Sequence, residues 1–280
     1  VAAQEAGIGL THLPVFYMQG GLNGKKLLHG QLRFSNDLES FLRILEQTQD
    51  TLRNVPEDYL LGIAPHSLRA VSPKLLTEII EAKDSGPVHI HIAEQVREVE
   101  EIQEQFGGTP VEWLLENAPV NSRWCLIHAT HMTQEETRNL AKSGAVVGLC
   151  PITEANLGDG IFDGSSLLLH GGRYGIGSDS NVRISLSEEL RLLEYSQRFV
   201  LKERNVMTHN SGSVGMGLYV DALMGGAQAL NRKSGFIAPE YWADLITLDS
   251  EALAFCGCSD REIFDRWIFA GDDSLVCDVW

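Results

Sequence analysis

Several things are scarce in this sequence, and each scarcity narrows what the chain can do. No apolar run reaches the length of about eighteen residues that a membrane-spanning helix needs. The opening Val1-Ala2-Ala3-Gln4-Glu5 lacks the basic stretch that begins a secretory signal. A cytoplasmic location is therefore the expectation. Positive charge is sparse, with 22 Lys and Arg against 38 Asp and Glu and a formal net charge of -16. That balance argues against a nucleic-acid groove or an anionic membrane surface as the main partner. Any acidic substrate must be held by a few local cationic groups. The five cysteines, Cys125, Cys150, Cys256, Cys258 and Cys277, are odd in number and include no Cys-x-x-Cys pair. Reduced thiols fit this pattern better than a disulfide framework or a cysteine zinc site. Repeats, low-complexity tracts and charge blocks are also missing. What is left is a chain of 280 residues, 44% hydrophobic, suited to one large globular domain with at most a small second one.

The stretch richest in chemistry is Val88-His89-Ile90-His91-Ile92-Ala93-Glu94-Gln95. Side chains alternate along a strand, so His89 and His91 share one face while Val88, Ile90 and Ile92 cover the other. Pro87 precedes the run and a polar, helix-like segment follows it, which puts His91 and Glu94 at the strand's carboxyl end. In α/β folds that end carries the chemistry. A neutral imidazole suits a transition metal, and a carboxylate three residues on can handle protons beside it. The plain alternative is two buried histidines satisfied by backbone and a surface Glu.

The chain around this stretch alternates strand and helix. Residues 7–17 read as a first strand, followed by a glycine-rich loop to Gly30 and a helix over 36–47 capped by Asn36 or Asp37. Residues 60–65 read as a second strand running into His66-Ser67-Leu68-Arg69. Ser72-Pro73 opens a helix over 73–83, and Gly86-Pro87 ends it before the third strand. Helices near 95–106 and 110–117 lead to strands over 124–128, 145–150 and 174–179, and helices over 185–204 and 215–230 follow. Beyond residue 234 the texture changes to turn-flanked strands over 243–249 and 275–280 with no helix expected between them. The expected organisation is a (β/α) barrel over 1–234 and part of a small β-sandwich over 235–280.

Strands that end in His66, His91 with Glu94, His128 and Asp179 are hard to explain by packing alone, and their convergence points to a metal-dependent site on the barrel rim. His131 reads as structural or as a support behind the residues of the site. Asp179, within Gly177-Ser178-Asp179-Ser180-Asn181, has capping of the next helix as its plain alternative.

His91-Ile92-Ala93-Glu94, His128 and Gly177-Ser178-Asp179 resemble signatures of the amidohydrolase superfamily, in which a (β/α)8 barrel carries one or two metals beside a small β-sandwich. Residues 64–71, 88–95 and 126–131, and the long run Thr153-Glu154-Ala155-Asn156-Leu157-Gly158-Asp159-Gly160-Ile161-Phe162, resemble more narrowly the branch that releases ammonia from N-formimidoyl-L-glutamate in histidine breakdown. The resemblance implies one zinc per subunit held by His91 and Asp179, with Glu94, His128 and Asp179 as catalytic groups and His66 and Arg69 as substrate holders. It implies a small-molecule substrate with carboxylates, no nucleic acid and no membrane, and leaves a homodimer open.

The departures carry expectations too. No His-x-His pair other than 89–91 occurs, although the family's first strand supplies one, and Asn181 stands where a His follows Ser-Asp-Ser in relatives. Six barrel strands are expected, about the third to the eighth of the family's barrel, with strands one and two and part of the sandwich missing. Two ligands alone should hold zinc weakly, and an open sheet exposes two edges, so the chain by itself is expected to be inactive or nearly so. Another amidine or a nucleobase-like heterocycle is an alternative substrate. A non-catalytic degenerate barrel is a further alternative, disfavoured by the presence of Glu94, His128 and Asp179.

Overall fold

The computed structural model describes residues 1–55, 57–208 and 212–280. A short helix, α1 (Ala2–Ala6), leads into β1 (Leu10–His12) and β2 (Val15–Phe16). These two segments replace the continuous strand expected over 7–17. Pro14 has no N–H to give a ladder, and the chain jogs at Leu13-Pro14. Helix α2 (Leu38–Leu52) runs past its expected end, and its N-cap is Asp37, whose carboxylate accepts the Ser40 N–H at 2.8 Å. Asn36 instead bridges the backbone of β2, donating to Val15 O at 2.8 Å and accepting from Tyr17 N at 3.1 Å.

The second expected strand is likewise divided, into β3 (Tyr59–Leu61) and β4 (Ala64–Pro65). Gly62 sits at the break, where a Cβ would lie 2.3 Å from Pro87 O, so only glycine permits the close approach. β1 pairs with β3 and β2 with β4, all parallel. Helix α3 (Pro73–Ala82) starts on Ser72-Pro73 as expected. It is followed by β5 (Val88–Ile92), helices α4 (Val96–Phe106) and α5 (Pro110–Asn117), β6 (Trp124–His128), α6 (Gln134–Ser143) and β7 (Val146–Leu149). Then come α7 (Pro151–Leu157), α8 (Gly164–Leu169), β8 (Arg173–Ile176), α9 (Leu186–Leu201) and α10 (Val214–Ala229). Strands β5 to β8 form one parallel sheet in chain order. A parallel bridge between Ile63 and Val88, and the His91 N–H donated to His66 O at 2.9 Å, attach the earlier pairs to its edge. The result is six parallel staves with helices packed around them, the partial (β/α)8 barrel that the alternation predicts.

Burial follows the pleat. Val88, Ile90 and Ile92 are buried among the helices, while His89 and His91 face the barrel interior. The two histidines reach opposite ends of that interior. His89 Nε2 donates to Ala229 O at 2.8 Å, and Thr11 donates to Leu230 O at 2.6 Å, so the C-terminal end of α10 lies under the strands' amino ends. That leaves His91 alone of the pair at the rim.

After residue 234 the structure holds β9 (Ile246–Leu248) and β10 (Val276–Val279), paired antiparallel. The expectation that no helix separates them is corrected by α11 (Ile263–Ala270). Phe264, Trp267 and Ile268 recur at helical spacing, Trp267 and Ile268 are buried, and the Phe264 ring lies 4.7 Å from that of Tyr219 on α10. No helix among the described residues is long and apolar enough to cross a membrane.

Candidate metal centre

At the carboxyl ends of β5, β6 and β8 the backbone turns sharply into the rim. Ala93 (φ 50°), His128 (φ 69°), Ala129 (φ 48°) and Asp179 (φ 41°) all adopt the left-handed region without being glycine. Such residues cost of order 1–3 kcal/mol each and persist where surrounding bonds over-determine them. Those bonds are present. The buried Glu98 carboxylate, from the first turn of α4, accepts the N–H groups of Ala93 and Glu94 at 3.1 and 3.2 Å. Ala129 donates to Ile92 O at 3.0 Å, and Gly177 to Leu149 O at 2.9 Å. Asp179 does not cap the helix that follows; Ser185 does.

These turns bring His91, His128 and Asp179 together, with one ligand atom from each lying within 4.8 Å of the others. Both imidazoles are fixed from behind. His91 Nδ1 faces the His66 carbonyl at 2.9 Å and donates its proton there, which leaves the Nε2 lone pair toward the cluster. His128 Nδ1 faces Glu154 Oε1 at 3.2 Å, so Nε2 is again the atom that faces the site. Two imidazole nitrogens and a carboxylate oxygen form a donor set for a transition cation, and three protein donors are the number catalytic zinc sites use. Glu94 Oε1 lies 3.8 Å from His128 Nε2, too far for a direct hydrogen bond but near enough for both to face a group bound between them.

The electrostatics follow from burial among carboxylates. Burial pulls the His91 pKa below the usual range and keeps it neutral, as a ligand must be. Burial opposes charge on His128 as well, but the Glu154 hydrogen bond, with Glu94, Glu154 and Asp179 nearby, outweighs it and raises that pKa. Burial raises the Glu94 carboxyl.

His66 and Arg69 stand beside this cluster. The His66 ring lies 4.7 Å from that of His91 and edge-on to Tyr17 at 4.5 Å. Burial, then the neighbouring His91 and Arg69, push its pKa down to about 3. Arg69 Nη2 is 3.6 Å from Glu98 Oε2, an ion pair to a carboxylate with no exposed surface. Both residues line a cavity of about 630 Å³, to which the loop after β2 also contributes Lys25 and Lys26, and α4 contributes Arg97.

All six candidate residues lie at or beside this rim. Sequence reasoning gave no role to Glu98, Thr153 or Glu154, which hold the site from behind. The available signal was the long run from Thr153 to Phe162, whose polar residues are buried at Thr153, Glu154 and Asp159. Asn181, the departure noted above, accepts the Ser178 hydroxyl at 2.8 Å within its own turn.

A parallel barrel that gathers two imidazoles and a carboxylate at its strand ends has the architecture of the metal-dependent barrel hydrolases. Residues 18–271 match the amidohydrolase family, and the chain belongs to it. It is 46% identical over 280 residues to the formimidoylglutamate deiminase of Pseudomonas aeruginosa, covering 99% of this chain and 61% of that protein. It is 34% identical over 190 residues to a 5-methylthioadenosine/S-adenosylhomocysteine deaminase of Archaeoglobus fulgidus, 66% of this chain and 43% of that one. Among solved structures, an amidohydrolase from Brucella melitensis superposes with a TM-score of 0.93 at 48% identity, over 100% of this chain and 61% of that one. A zinc-bound adenosine deaminase from Xanthomonas campestris shares the fold, with a TM-score of 0.80 at 22% identity over 99% and 60% of the two chains. The chain thus spans about three fifths of the length of the first of these relatives.

Proposed function

We propose zinc-dependent hydrolysis of N-formimidoyl-L-glutamate to N-formyl-L-glutamate and ammonia. The observation that carries the reading is the convergence of His91, His128 and Asp179 within 4.8 Å, beside Glu94, in a chain 46% identical to a formimidoylglutamate deiminase. In this reading His91 and Asp179 hold the metal. Bound there, zinc supplies the Lewis acidity that makes water a nucleophile near neutral pH. Asp179 takes the proton that the attacking water loses. Glu94 delivers a proton to the imino nitrogen, so that ammonia rather than an amide ion departs. His128 accepts a proton at Nε2 in the course of the reaction and, once charged, faces the charge that develops on the reacting carbon's substituents. Arg69, Lys25 and Lys26 supply the local positive charge that a dicarboxylate needs in a chain of net charge -16.

Turnover by this chain is expected to be weak. In this reading two residues hold the metal, fewer than catalytic zinc sites use, and among the described residues β1/β2 and β8 are not hydrogen-bonded to each other, so the rim is not a closed ring. Relative rates therefore decide the matter. Ammonia release from N-formimidoyl-L-glutamate, formamidine and 5′-methylthioadenosine, measured with zinc bound, should favour the first. Preference for the nucleoside would overturn the reading.

A further inference from the structure

The run from Thr153 to Gly160 is the longest part of the family resemblance, and none of its residues takes part in the chemistry described above. It leaves β7 between the strand that ends in His128 and the one that leads to Asp179. Its polar groups reach both neighbours. The Thr153 hydroxyl lies 2.9 Å from Ser180 Oγ and accepts the Ser180 N–H at 3.3 Å, next to Asp179. Asp159 accepts from His131 Nε2 through its carbonyl at 2.7 Å and from Gln95 Nε2 through its carboxylate at 3.3 Å, next to Glu94. Glu154, buried at 5% exposure, accepts the Cys150 N–H at 3.0 Å with the same Oε1 that faces His128 Nδ1 at 3.2 Å. The backbone bond pins the carboxylate from the start of α7.

We propose that Glu154 is a positioning residue for His128: its carboxylate claims the Nδ1 proton and so turns a basic Nε2 into the cluster. A neutral imidazole has a single N–H, and an anionic acceptor fixed at one nitrogen decides which nitrogen carries it. Without that acceptor the proton moves to Nε2, and the lone pair then points away from Glu94, His91 and Asp179. On the Nε2 side Glu94 Oε1 stands 3.8 Å away, beyond hydrogen-bond reach. No other hydrogen bond to its Nδ1 is present among the described residues, and the strained turn at His128 fixes where the ring starts, not which nitrogen is protonated. The kinetic consequence rests on the proposed deiminase reading; the tautomer does not.

The test compares the protein with its Glu154→Gln and Glu154→Ala variants. Long-range 1H–15N NMR on 15N-histidine-labelled protein, at a pH where the imidazole is neutral, reads the tautomer directly. The parent and the Gln variant, whose amide oxygen still accepts, should show His128 as Nδ1–H, and the Ala variant as Nε2–H. With zinc loaded, kcat should fall about 10–100-fold in the Ala variant with KM changed less than about threefold, and the Gln variant should recover much of that loss. A parent His128 already protonated at Nε2 overturns the proposal without need of any variant. So does an Ala variant that stays Nδ1–H. A tautomer switch in a protein that releases no ammonia upholds the positioning role and counts against the deiminase reading alone.

Discussion

Arg69 and Glu98 meet at 3.6 Å behind the turn that carries Glu94. The same Glu98 carboxylate holds the N–H groups of Ala93 and Glu94, so one buried anion links a cavity-lining cation to the placement of the candidate acid. Burial raises the Glu98 pKa while Arg69, first among its neighbours, lowers it. The guanidinium has donors to spare, and those not turned to Glu98 line the cavity beside His66.

Removing that guanidinium should therefore act in two ways. Arg69→Ala is expected to cost about 2–4 kcal/mol in urea unfolding, because it strands a buried carboxylate, and to raise KM for an anionic substrate. Adding Glu98→Gln should recover part of the stability and none of the substrate affinity. Full recovery of KM in the double variant would show that Arg69 meets no substrate.

Lys25 and Lys26 line the same cavity, and no ion pair to either is present among the described residues. Reversal of both to Glu should raise KM for N-formimidoyl-L-glutamate at low ionic strength, with the difference shrinking as salt approaches about 0.5 M. Formamidine, which carries no carboxylate, should be unaffected or favoured. An equal effect on both substrates, measured by ammonia release across a salt series, would remove the two lysines from substrate recognition.

Glu189 predicts a pH dependence of stability. Its Oε2 accepts the Ile152 N–H at 2.8 Å, but its Oε1 is buried without a hydrogen-bond partner among the described residues. Burial, with Glu154, Glu188 and Asp179 nearby, pushes its pKa from 4.5 up to about 7. A carboxyl whose folded pKa lies above its unfolded value favours the folded state below the unfolded pKa and loses that contribution as pH rises through the folded one. The stabilising protonation is therefore present near pH 4.5 and gone above about pH 7. Glu189→Gln keeps the bond to Ile152 and removes the titration. Its gain in Tm over the parent should be larger at pH 8.5 than at pH 5; the reverse order would mean that Glu189 is held ionised.

Helix α10 and strand β8 pack backbone to backbone at Gly225. A Cβ on Gly225 would sit 1.8 Å from Tyr174 O, with backbone atoms and not a flexible side chain in the way. Gly225→Ala should cost about 3 kcal/mol or more in chemical denaturation, well beyond the usual penalty of overpacking by one methyl group. Gly226, with nothing within 4 Å of its Cβ position, serves as the control, and Gly226→Ala should be neutral or mildly stabilising.

How much of this was legible beforehand depends on the range of the forces involved. The staves at 88–92 and 124–128, the helix starts at Asp37 and Ser72, and the placing of His91, Glu94, His128 and Asp179 at strand ends are local matters of side-chain alternation, capping and turn chemistry. Helix α6 was legible as well, since Thr133 and Glu136 form a capping box, though it was not among the expected elements. The break at Leu13-Pro14 was legible too, since proline gives a ladder no N–H, whereas the one at Gly62 depends on the close approach of Pro87. Helix α11, rich in aromatics, settles only because α9 and α10 offer it an apolar surface.

Sequence alone determined the parallel alternation and which residues bear chemistry at the strand ends, because pleat and turn chemistry act over a few neighbours. Only the tertiary structure decided that His89 serves the floor while His91 serves the rim. It alone paired Glu98 with Arg69 and put Glu154 behind His128. Those pairings join residues more than twenty positions apart, and they are set by the register of the barrel and by the need of each buried charge for a partner.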